Sequence, residues 1–315
     1  MYDLIGDIHG HASELKSLLT KLDYREIDGV WQHPTRQVIF LGDFVDRGPQ
    51  QIETVSIARN MVENGRALAV MGNHEFNAVA WATEDPQNLG EYLRPHTAKN
   101  RKQHQAFLEQ AVESSELHCE IIEWFKTLPL FLEMDTFRVV HACWHPDHLQ
   151  TLANFTDDNN CVRSEAWAQL TDEGSEGFEA LETVLKGLEI SLPSGCEFRD
   201  KDNHPRTNIR TRWWDLDGIT YRDLAMVPAE VIDQIPHEPI PNDVLPGYDG
   251  KKPVFVGHYW MKGEPKPLNE HVACLDYSVV DPDGGKLCAY RHDYSKYLDT
   301  SRFCWVVRRS RPVDQ

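Results

Sequence analysis

Residues 38–48 read VIFLGDFVDRG, a run that joins an apolar segment directly to charged residues. The apolar residues 38–41 predict a buried strand, and Asp43 follows just beyond its C-terminal end. A carboxylate can bind two cations, because it has an oxygen on each side. Arg47 offers planar, paired donors that suit a phosphoryl group. The segment therefore predicts phosphate chemistry at a metal site, with a solvated turn and an Asp–Arg ion pair as the structural alternative.

The same pattern of an apolar strand followed by a polar ligand recurs along the chain. It is found in GDIHG at 6–10, GNHE at 72–75, VVHA at 139–142 and VGH at 256–258. Open α/β sheets bind their ligands at the C-terminal ends of strands. Five strand ends therefore present metal-type ligands to what we predict to be one site.

Helical spacing between the first strands completes the pattern. Leu15, Leu18, Leu19 and Leu22 fall on one face, and a second helix is predicted from about 52 to 62. Alternating strands and helices at this spacing predict right-handed crossovers and neighbouring strands. Residues of roughly 80–128 are expected to be helical.

The chain is predicted to form a single domain over residues 1–315. Its core is expected to comprise residues 1–80, 130–148 and 250–300. Residues of approximately 150–250 carry acidic and Pro-rich patches. We interpret them as an insertion or cap, helical or irregular.

The ordered motifs resemble the signature of the phosphoprotein-phosphatase branch of the calcineurin-like metallophosphoesterases. The same signature recurs in symmetrical dinucleoside tetraphosphatases and in the phosphatase domain of bacterial RNA-end repair enzymes. Residues 274–276 (CLD) and 284–287 (GGKL) are similar to the closing strands of the family. The resemblance is close over 1–80 and looser over 137–143 and 253–290. It implies an α/β fold, a sandwich of two mixed β-sheets flanked by helices.

The resemblance also implies a role for each site residue. Two divalent metal ions would be held, the first by Asp7 and His9, the second by Asn73, His141 and His258, with Asp43 bridging them. Arg47 would bind the phosphate together with Asn73. His74, held by Asp46, would act as general acid.

Two features depart from the wider superfamily. Its frequent Gly-His-x-His motif has a second His that binds the first metal, and here Trp260 stands at that place. The phosphatase branch also lacks this His, so we interpret Trp260 as a mark of branch membership. The family's late phosphate-binding Arg is assigned to Arg222 as a first choice, with Arg210 and Arg212 as alternatives.

The types of predicted ligand indicate which metals could bind and which nucleophile could attack the phosphate. Mixed nitrogen and oxygen ligands suit Mn, Fe or Zn better than Ca, and Mn is our first choice. Two such ions activate a water as the nucleophile. A nucleophilic Ser or Cys is then unnecessary, and Cys143 is predicted to serve packing.

The predicted activity is metal-dependent hydrolysis of phosphate monoesters, and a protein Ser/Thr phosphatase is the main hypothesis for its class. Dinucleoside polyphosphate hydrolysis and nucleic-acid-end phosphatase or phosphodiesterase activity are the alternatives. The expected partner is a phosphorylated protein or nucleotide. A non-catalytic binding protein would be expected to lack a ligand or His74, and all are present.

Composition adds limits. The 315 residues carry a net charge of -18, which disfavours extended nucleic-acid binding or attachment to an anionic membrane. The sequence contains neither a run of 18 apolar residues nor the pattern of a signal peptide. The seven scattered cysteines are expected to be reduced, and the protein is expected to be cytoplasmic.

Overall fold

The computed structural model describes residues 1–199, 204–215, 219–241, 244–245 and 247–308. The strands are β1 (Tyr2–Ile5), β2 (Arg25–Ile27), β3 (Val30–Gln32), β4 (Gln37–Phe40), β5 (Ala67–Ala69), β6 (Phe131–Glu133), β7 (Arg138–Val140), β8 (Glu189–Ser191), β9 (Phe198–Arg199), β10 (Pro205–Arg206), β11 (Asn208–Arg210), β12 (Val254–Val256), β13 (Val272–Cys274), β14 (Asp276–Tyr277), β15 (Lys286–His292) and β16 (Phe303–Val307). The helices are α1 (Ala12–Lys21), α2 (Gln51–Glu63), α3 (Asn73–Ala82), α4 (Ala98–Ala111), α5 (Glu116–Lys126), α6 (Pro146–Leu152), α7 (Trp167–Leu170), α8 (Glu176–Lys186) and α9 (Tyr221–Leu224). Short 3-10 turns cover Ala229–Gln234 and Thr300–Arg302.

A six-stranded mixed sheet contains the first three predicted strands. Its order is β14-β15-β1-β4-β5, with β16 paired to β15. Strand β4 runs parallel to β1 and to β5, whereas β15 is antiparallel to β1. The C-terminal ends of β1, β4 and β5 therefore lie at the same edge, as the alternating pattern predicted. The hairpin of β2 and β3, which lies between α1 and β4, was not predicted.

The other two predicted strands belong to a second sheet, with the order β13-β12-β7-β6. Strand β12 is parallel to β13 and β7, and β6 is antiparallel to β7. The two sheets pack face to face through one apolar cluster, which includes Leu4, Ile39, Val70, Val139 and Phe255. This arrangement confirms the predicted sandwich of two mixed sheets.

The central strands are apolar on both faces. Leu4 and Ile39 face the second sheet, whereas Ile5, Val38 and Phe40 join the larger core that includes the helices. A strand buried on both faces needs a continuous apolar run instead of alternation. This is why residues 38–41 have the sequence of a buried strand.

Residues of roughly 80–128 were predicted to be helical, and the structure corrects part of this. Helices α4 and α5 account for most of the segment, but residues 83–97 are not helical, and an isolated bridge joins Glu84 to Tyr92. Pro86, Gly90 and Pro95 interrupt the helical pattern there.

The described part of residues 150–250 contacts the loop that follows β7. The backbone N–H of Ala142 donates to the carbonyl of Val184 at 3.0 Å. The indole Nε1 of Trp213 donates to the Ala142 carbonyl at 3.2 Å and to the Tyr259 hydroxyl at 2.9 Å. Among the described helices, none combines the length and the apolar character that a membrane crossing requires.

Replacement of Phe255 tests the packing between the sheets. This fully buried ring lies 5.9 Å from the Phe137 ring and 5.1 Å from the Tyr290 ring. We expect Phe255→Ala to lower the free energy of unfolding by about 3–5 kcal/mol, because it leaves a cavity in the core. Urea unfolding measures the change. Leu89→Ala, at a residue 97% exposed, is the control and should change stability by less than about 0.5 kcal/mol. Equal effects of the two substitutions would contradict the described core.

Candidate metal centre

The Asp43 carboxylate lies at the centre of the predicted ligands. Its Oδ2 atom is 3.6 Å from His9 Nε2, 3.4 Å from His141 Nε2 and 3.9 Å from His74 Nε2. Ligand atoms of His9, Asp43 and His74 all lie within 4.8 Å of one another, and so do those of Asp43, His141 and His258. Asp43 therefore belongs to both of the groups that, among the described residues, could hold a cation.

Asn73 connects the two sheets at this point. Its amide Oδ1 lies 3.1 Å from His141 Nε2 and 2.9 Å from His258 Nδ1. Asn73 begins α3 at the end of β5, whereas His141 and His258 follow β7 and β12 of the other sheet. The site thus lies where the C-terminal ends of strands from both sheets meet.

The histidine rings are oriented by backbone carbonyls. His9 Nδ1 lies 3.0 Å from the carbonyl oxygen of Val45, and His141 Nδ1 lies 2.6 Å from that of Leu41. A ring that donates its Nδ1 proton to a carbonyl keeps the lone pair on Nε2 for a metal. Both Nε2 atoms are on the side of Asp43, so the rings fit a cation-binding role.

Unsatisfied buried atoms also fit a cation. Within the described residues, Asp7 Oδ1 and His9 Nε2 are buried and have no hydrogen-bond partner. Burial, together with the charges of Asp276 and Asp43, holds the pKa of Asp7 well above its usual range. Bound cations would offset this crowding of buried negative charge. The donor set of carboxylates, imidazoles and an amide therefore suits divalent ions.

Two glycines allow the close approach of these loops. A Cβ atom on Gly257 would lie 2.1 Å from Asp7 Oδ1, and one on Gly42 would lie 2.4 Å from the backbone nitrogen of Gly72. Gly42 also has a φ of +91°, which favours glycine. The glycines of the motifs are thus required by the packing of the ligand loops.

Several larger residues of the site also adopt left-handed backbone conformations. Positive φ values occur at His9 (46°), Asp43 (53°), Asp46 (70°), Arg47 (71°), His258 (71°) and Trp260 (50°). Such conformations cost energy in residues that have a side chain, and they concentrate where function requires a fixed geometry.

His74 forms a buried pair with Asp46. Its Nδ1 lies 2.5 Å from Asp46 Oδ2, and the other oxygen of Asp46 lies 2.7 Å from His104 Nδ1. Burial alone would raise the pKa of Asp46, but His104 and His74 outweigh it and lower that pKa. Burial would lower the pKa of His74, and the charge of Asp43 and the bond to Asp46 raise it instead.

Three supporting residues were given no role from the sequence. His104 lies on α4 and contacts Asp46 as described above. The Glu75 carboxylate accepts the backbone N–H groups of Asp43 at 2.7 Å and Gly72 at 3.1 Å, and it thereby joins the loops after β4 and β5. Burial and the Asp43 charge raise the pKa of Glu75 to about 7. Asp276 Oδ2 accepts the backbone N–H of Trp260 at 2.7 Å.

Arg47 lies against Trp260, which stands where the wider superfamily often has a second histidine. Its guanidinium is 4.4 Å from the centre of the Trp260 ring, which is 43% exposed. A cation over an indole face is attracted by the ring. Trp260 therefore positions Arg47 at the rim of the site.

The three arginines considered for the additional phosphate-binding role have different contacts in the structure. Arg210 Nη1 lies 3.1 Å from His258 Nε2, beside the ligand cluster. The guanidinium of Arg222, our first choice, donates to the carbonyls of Ile235 at 2.9 Å and Asp233 at 3.1 Å. Arg210, and not Arg222, is thus in contact with a predicted metal ligand. Arg212 donates its backbone N–H to the carbonyl of Leu224.

Comparison with known proteins identifies the family. A model of the calcineurin-like phosphoesterases matches residues 2–252, well over half of the chain. The chain belongs to this family. The predicted resemblance is thereby confirmed, as is the prediction of a hydrolase of phosphoric esters. The family depends on divalent metals, in agreement with the geometry of the ligand cluster.

Curated relatives of this phosphoesterase include nucleotide hydrolases. It is 28% identical over 301 residues to a symmetrical bis(5'-nucleosyl)-tetraphosphatase of Vibrio cholerae, covering 94% of this chain and 96% of the relative. It is 32% identical over 149 residues to the asymmetrical bis(5'-nucleosyl)-tetraphosphatase PrpE of Oceanobacillus iheyensis. That match covers 47% of this chain and only 57% of the relative.

A solved structure supports the fold. The cold-active protein-tyrosine phosphatase of a psychrophile Shewanella sp. is 16% identical, with a TM-score of 0.50, and the match covers 98% of this chain and 80% of the other. At this identity the likeness shows the shared fold alone.

Removal of the shared carboxylate should affect both cation positions. We expect Asp43→Asn to lower the bound metal, measured by elemental analysis after dialysis against Mn²⁺, from about two equivalents to less than one. Asp158→Asn, at an exposed loop residue, is the control and should keep the wild-type content. Two retained equivalents in Asp43→Asn would show that Asp43 does not bridge.

The contact between Trp260 and Arg47 gives a second prediction. We expect Trp260→Leu to raise KM for p-nitrophenyl phosphate by about two- to fivefold, the size of an exposed cation–π contact, with kcat nearly unchanged. Trp260→Phe keeps an aromatic face and should stay closer to wild type. Equal effects of the Leu and Phe substitutions would exclude a stacking role.

Proposed function

We propose that this phosphoesterase hydrolyses a phosphoric anhydride of dinucleoside polyphosphates at a centre of two divalent ions. The ions would be held by Asp7, His9, Asp43, Asn73, His141 and His258. The observation that supports the metal centre most strongly is the membership of Asp43 in both ligand groups of the described residues, beside the His74–Asp46 pair. The choice of substrate is supported by the relative that aligns over 94% of this chain. Manganese as the metal and a cytoplasmic location stay predictions.

The chain's own residues would divide the work of the reaction. Bound ions would supply positive charge that activates a water and neutralises phosphoryl oxygens. Arg47 would bind the phosphoryl group from the side of Trp260, together with the Asn73 amide. Arg210 would bind it from the side of His258, and we propose it in place of Arg222.

His74 would act as the general acid. Asp46 holds its Nδ1, so its Nε2 is the atom available to the substrate. The attacking water would release one proton to solvent, and its oxygen would form a new bond to phosphorus while the bond from phosphorus to the leaving oxygen breaks. His74 then transfers its proton to that oxygen, which makes departure of the leaving group easier.

The curated relatives favour a nucleotide over a phosphoprotein. The Vibrio relative, named a symmetrical tetraphosphatase, aligns over almost the whole of both chains, including the segment 150–250. The hypothesis of a phosphoprotein substrate, which came first in the sequence analysis, is supported here by a similarity of fold alone to a protein phosphatase. We therefore place the dinucleoside polyphosphate alternative first.

We further propose that the described part of residues 150–250 serves as a cap over the site within one domain. Support comes from the contacts of Val184 and Trp213 with the loop after β7, and from Arg210 beside His258. A cap at this place would contribute to the choice of substrate.

Substitution of His74 tests the proposed acid. We expect His74→Ala to lower kcat by about 10²–10⁴-fold for a phosphoserine peptide, whose alkoxide leaving group needs a proton. The loss should be much smaller for p-nitrophenyl phosphate, whose leaving group departs without one. Steady-state kinetics with Mn²⁺ measures both, and His33→Asn is the control. Equal losses on both substrates would contradict an acid role.

A substrate panel tests the proposed function itself. Metal is first stripped and Mn²⁺ is then restored. The panel contains diadenosine tetraphosphate, p-nitrophenyl phosphate, a phosphopeptide, a 2′,3′-cyclic nucleotide and bis-p-nitrophenyl phosphate. We expect diadenosine tetraphosphate to give the highest kcat/KM, and anion-exchange chromatography to separate two ADP from ATP plus AMP. A higher value for the phosphopeptide would restore the phosphoprotein reading, and inactivity on every substrate would overturn the proposal.

A further inference from the structure

A cavity of about 870 Å³ opens directly beside His74 and Asn73. Helix α4 supplies much of its lining, and Asn77, one turn after Asn73 on α3, lies in its wall. Its described lining includes the cationic side chains of Arg47, Arg94, Lys99, Lys102 and Lys186 and one carboxylate, that of Glu109. This balance is the reverse of the chain's net charge of -18.

Among the described residues, no carboxylate lies at ion-pairing distance from the guanidinium of Arg94 in this cavity. Its guanidinium donates to Asn77 Oδ1 at 2.6 Å, to Gln103 Oε1 at 2.8 Å and to Asn100 Oδ1 at 3.3 Å. These three acceptors are neutral amides, so they orient the guanidinium without an ion pair, and the charges of Asp46 and Glu182 act on it only from a greater distance. A guanidinium that is held in place by neutral groups suits phosphate oxygens.

Lys99 and Lys102 extend the positive charge along α4. They are three residues apart, so they lie on neighbouring turns of one helix face. Within the described residues, neither amine forms an ion pair with a carboxylate. Lys186 differs, because it pairs with Glu182 four residues earlier. Like charges at this spacing destabilise a helix, which makes them costly unless they meet an anion.

The position of the cavity relates it to the leaving group. In an in-line displacement the leaving group departs opposite to the attacking water. His74, as the acid, would face that group, and the cavity begins at His74. The leaving group of an anhydride is itself a phosphate chain, and its negative charge grows as the bond breaks.

We propose that this cavity binds the phosphates of a nucleotide polyphosphate beyond the one at the metal centre. This inference rests on the proposed function and names the residues that select its substrate. Arg94, Lys99 and Lys102 bind the leaving phosphate chain. A simple monoester carries a single phosphate, which Arg47, Arg210 and the metal centre would bind.

A double substitution on α4 tests the cavity. Lys99→Gln/Lys102→Gln removes both amines and keeps good helix formers at exposed positions. We expect kcat/KM for diadenosine tetraphosphate to fall about tenfold, as two partly screened charge contacts predict. The value for p-nitrophenyl phosphate should change by less than about twofold, since that ester has no further phosphate. Lys126→Gln/Lys251→Gln changes the net charge equally outside the cavity and should leave both values unchanged.

A binding measurement decides the inference without turnover. Inorganic tripolyphosphate is titrated calorimetrically into metal-stripped protein, and the α4 variant should bind it about tenfold more weakly than wild type and the control. Unchanged binding, or equal kinetic losses on both substrates, would overturn the inference. A loss confined to acidic phosphopeptides would assign the cavity to polypeptide instead. If the wild-type protein showed no metal-dependent hydrolysis, the proposed function would be wrong. The binding of tripolyphosphate would still test the inference about the cavity, because it does not depend on turnover.

Discussion

The position of the Asp43 carboxylate is the constraint on which the rest of the site depends. The backbone carbonyl of Asp43 accepts hydrogen bonds from the backbone N–H groups of Ile8 and His9, and the backbone N–H of Asp43 donates to the Glu75 carboxylate. Its Oδ1 accepts the backbone N–H of His74 at 3.0 Å. These bonds join the loops after three strands, so a shift of Asp43 would displace ligands of both cation groups. The surrounding bonds also explain how a non-glycine residue keeps a φ of +53°.

The candidate site could be predicted from the sequence largely because its candidate ligands follow a local rule. Each lies within a few residues of the end of a short apolar strand, and a glycine next to several of them permits close approach. Continuous apolar runs such as 38–41 also indicate burial on both faces. Those signals are sufficient for the parallel strands β1, β4 and β5. They did not reveal that His141 and His258 belong to a second sheet, since strand pairing is a long-range property.

Other parts of the site depend on contacts that no local pattern records. His104 has the spacing of a core position on α4, and it meets Asp46 only because α4 packs beside α2. Arg210 and Arg222 are close in sequence, but the pairing of β11 with β8 places Arg210 beside His258. Glu75 lies within a quoted motif, and its role becomes visible only when the loops it joins are seen together.

Helix α4 presents two faces with different consequences for evolution. The residues of one face are constrained by packing, because His104 and Phe107 are buried and His104 contacts Asp46 of the Asp46–His74 pair. The opposite face carries Lys99 and Lys102, which are exposed and take no part in the core. Exchange of residues on this outer face would therefore leave the contact between His104 and Asp46 in place. If the proposed roles hold, the anions that the cavity binds could be changed on α4 without a change in the proposed acid pair.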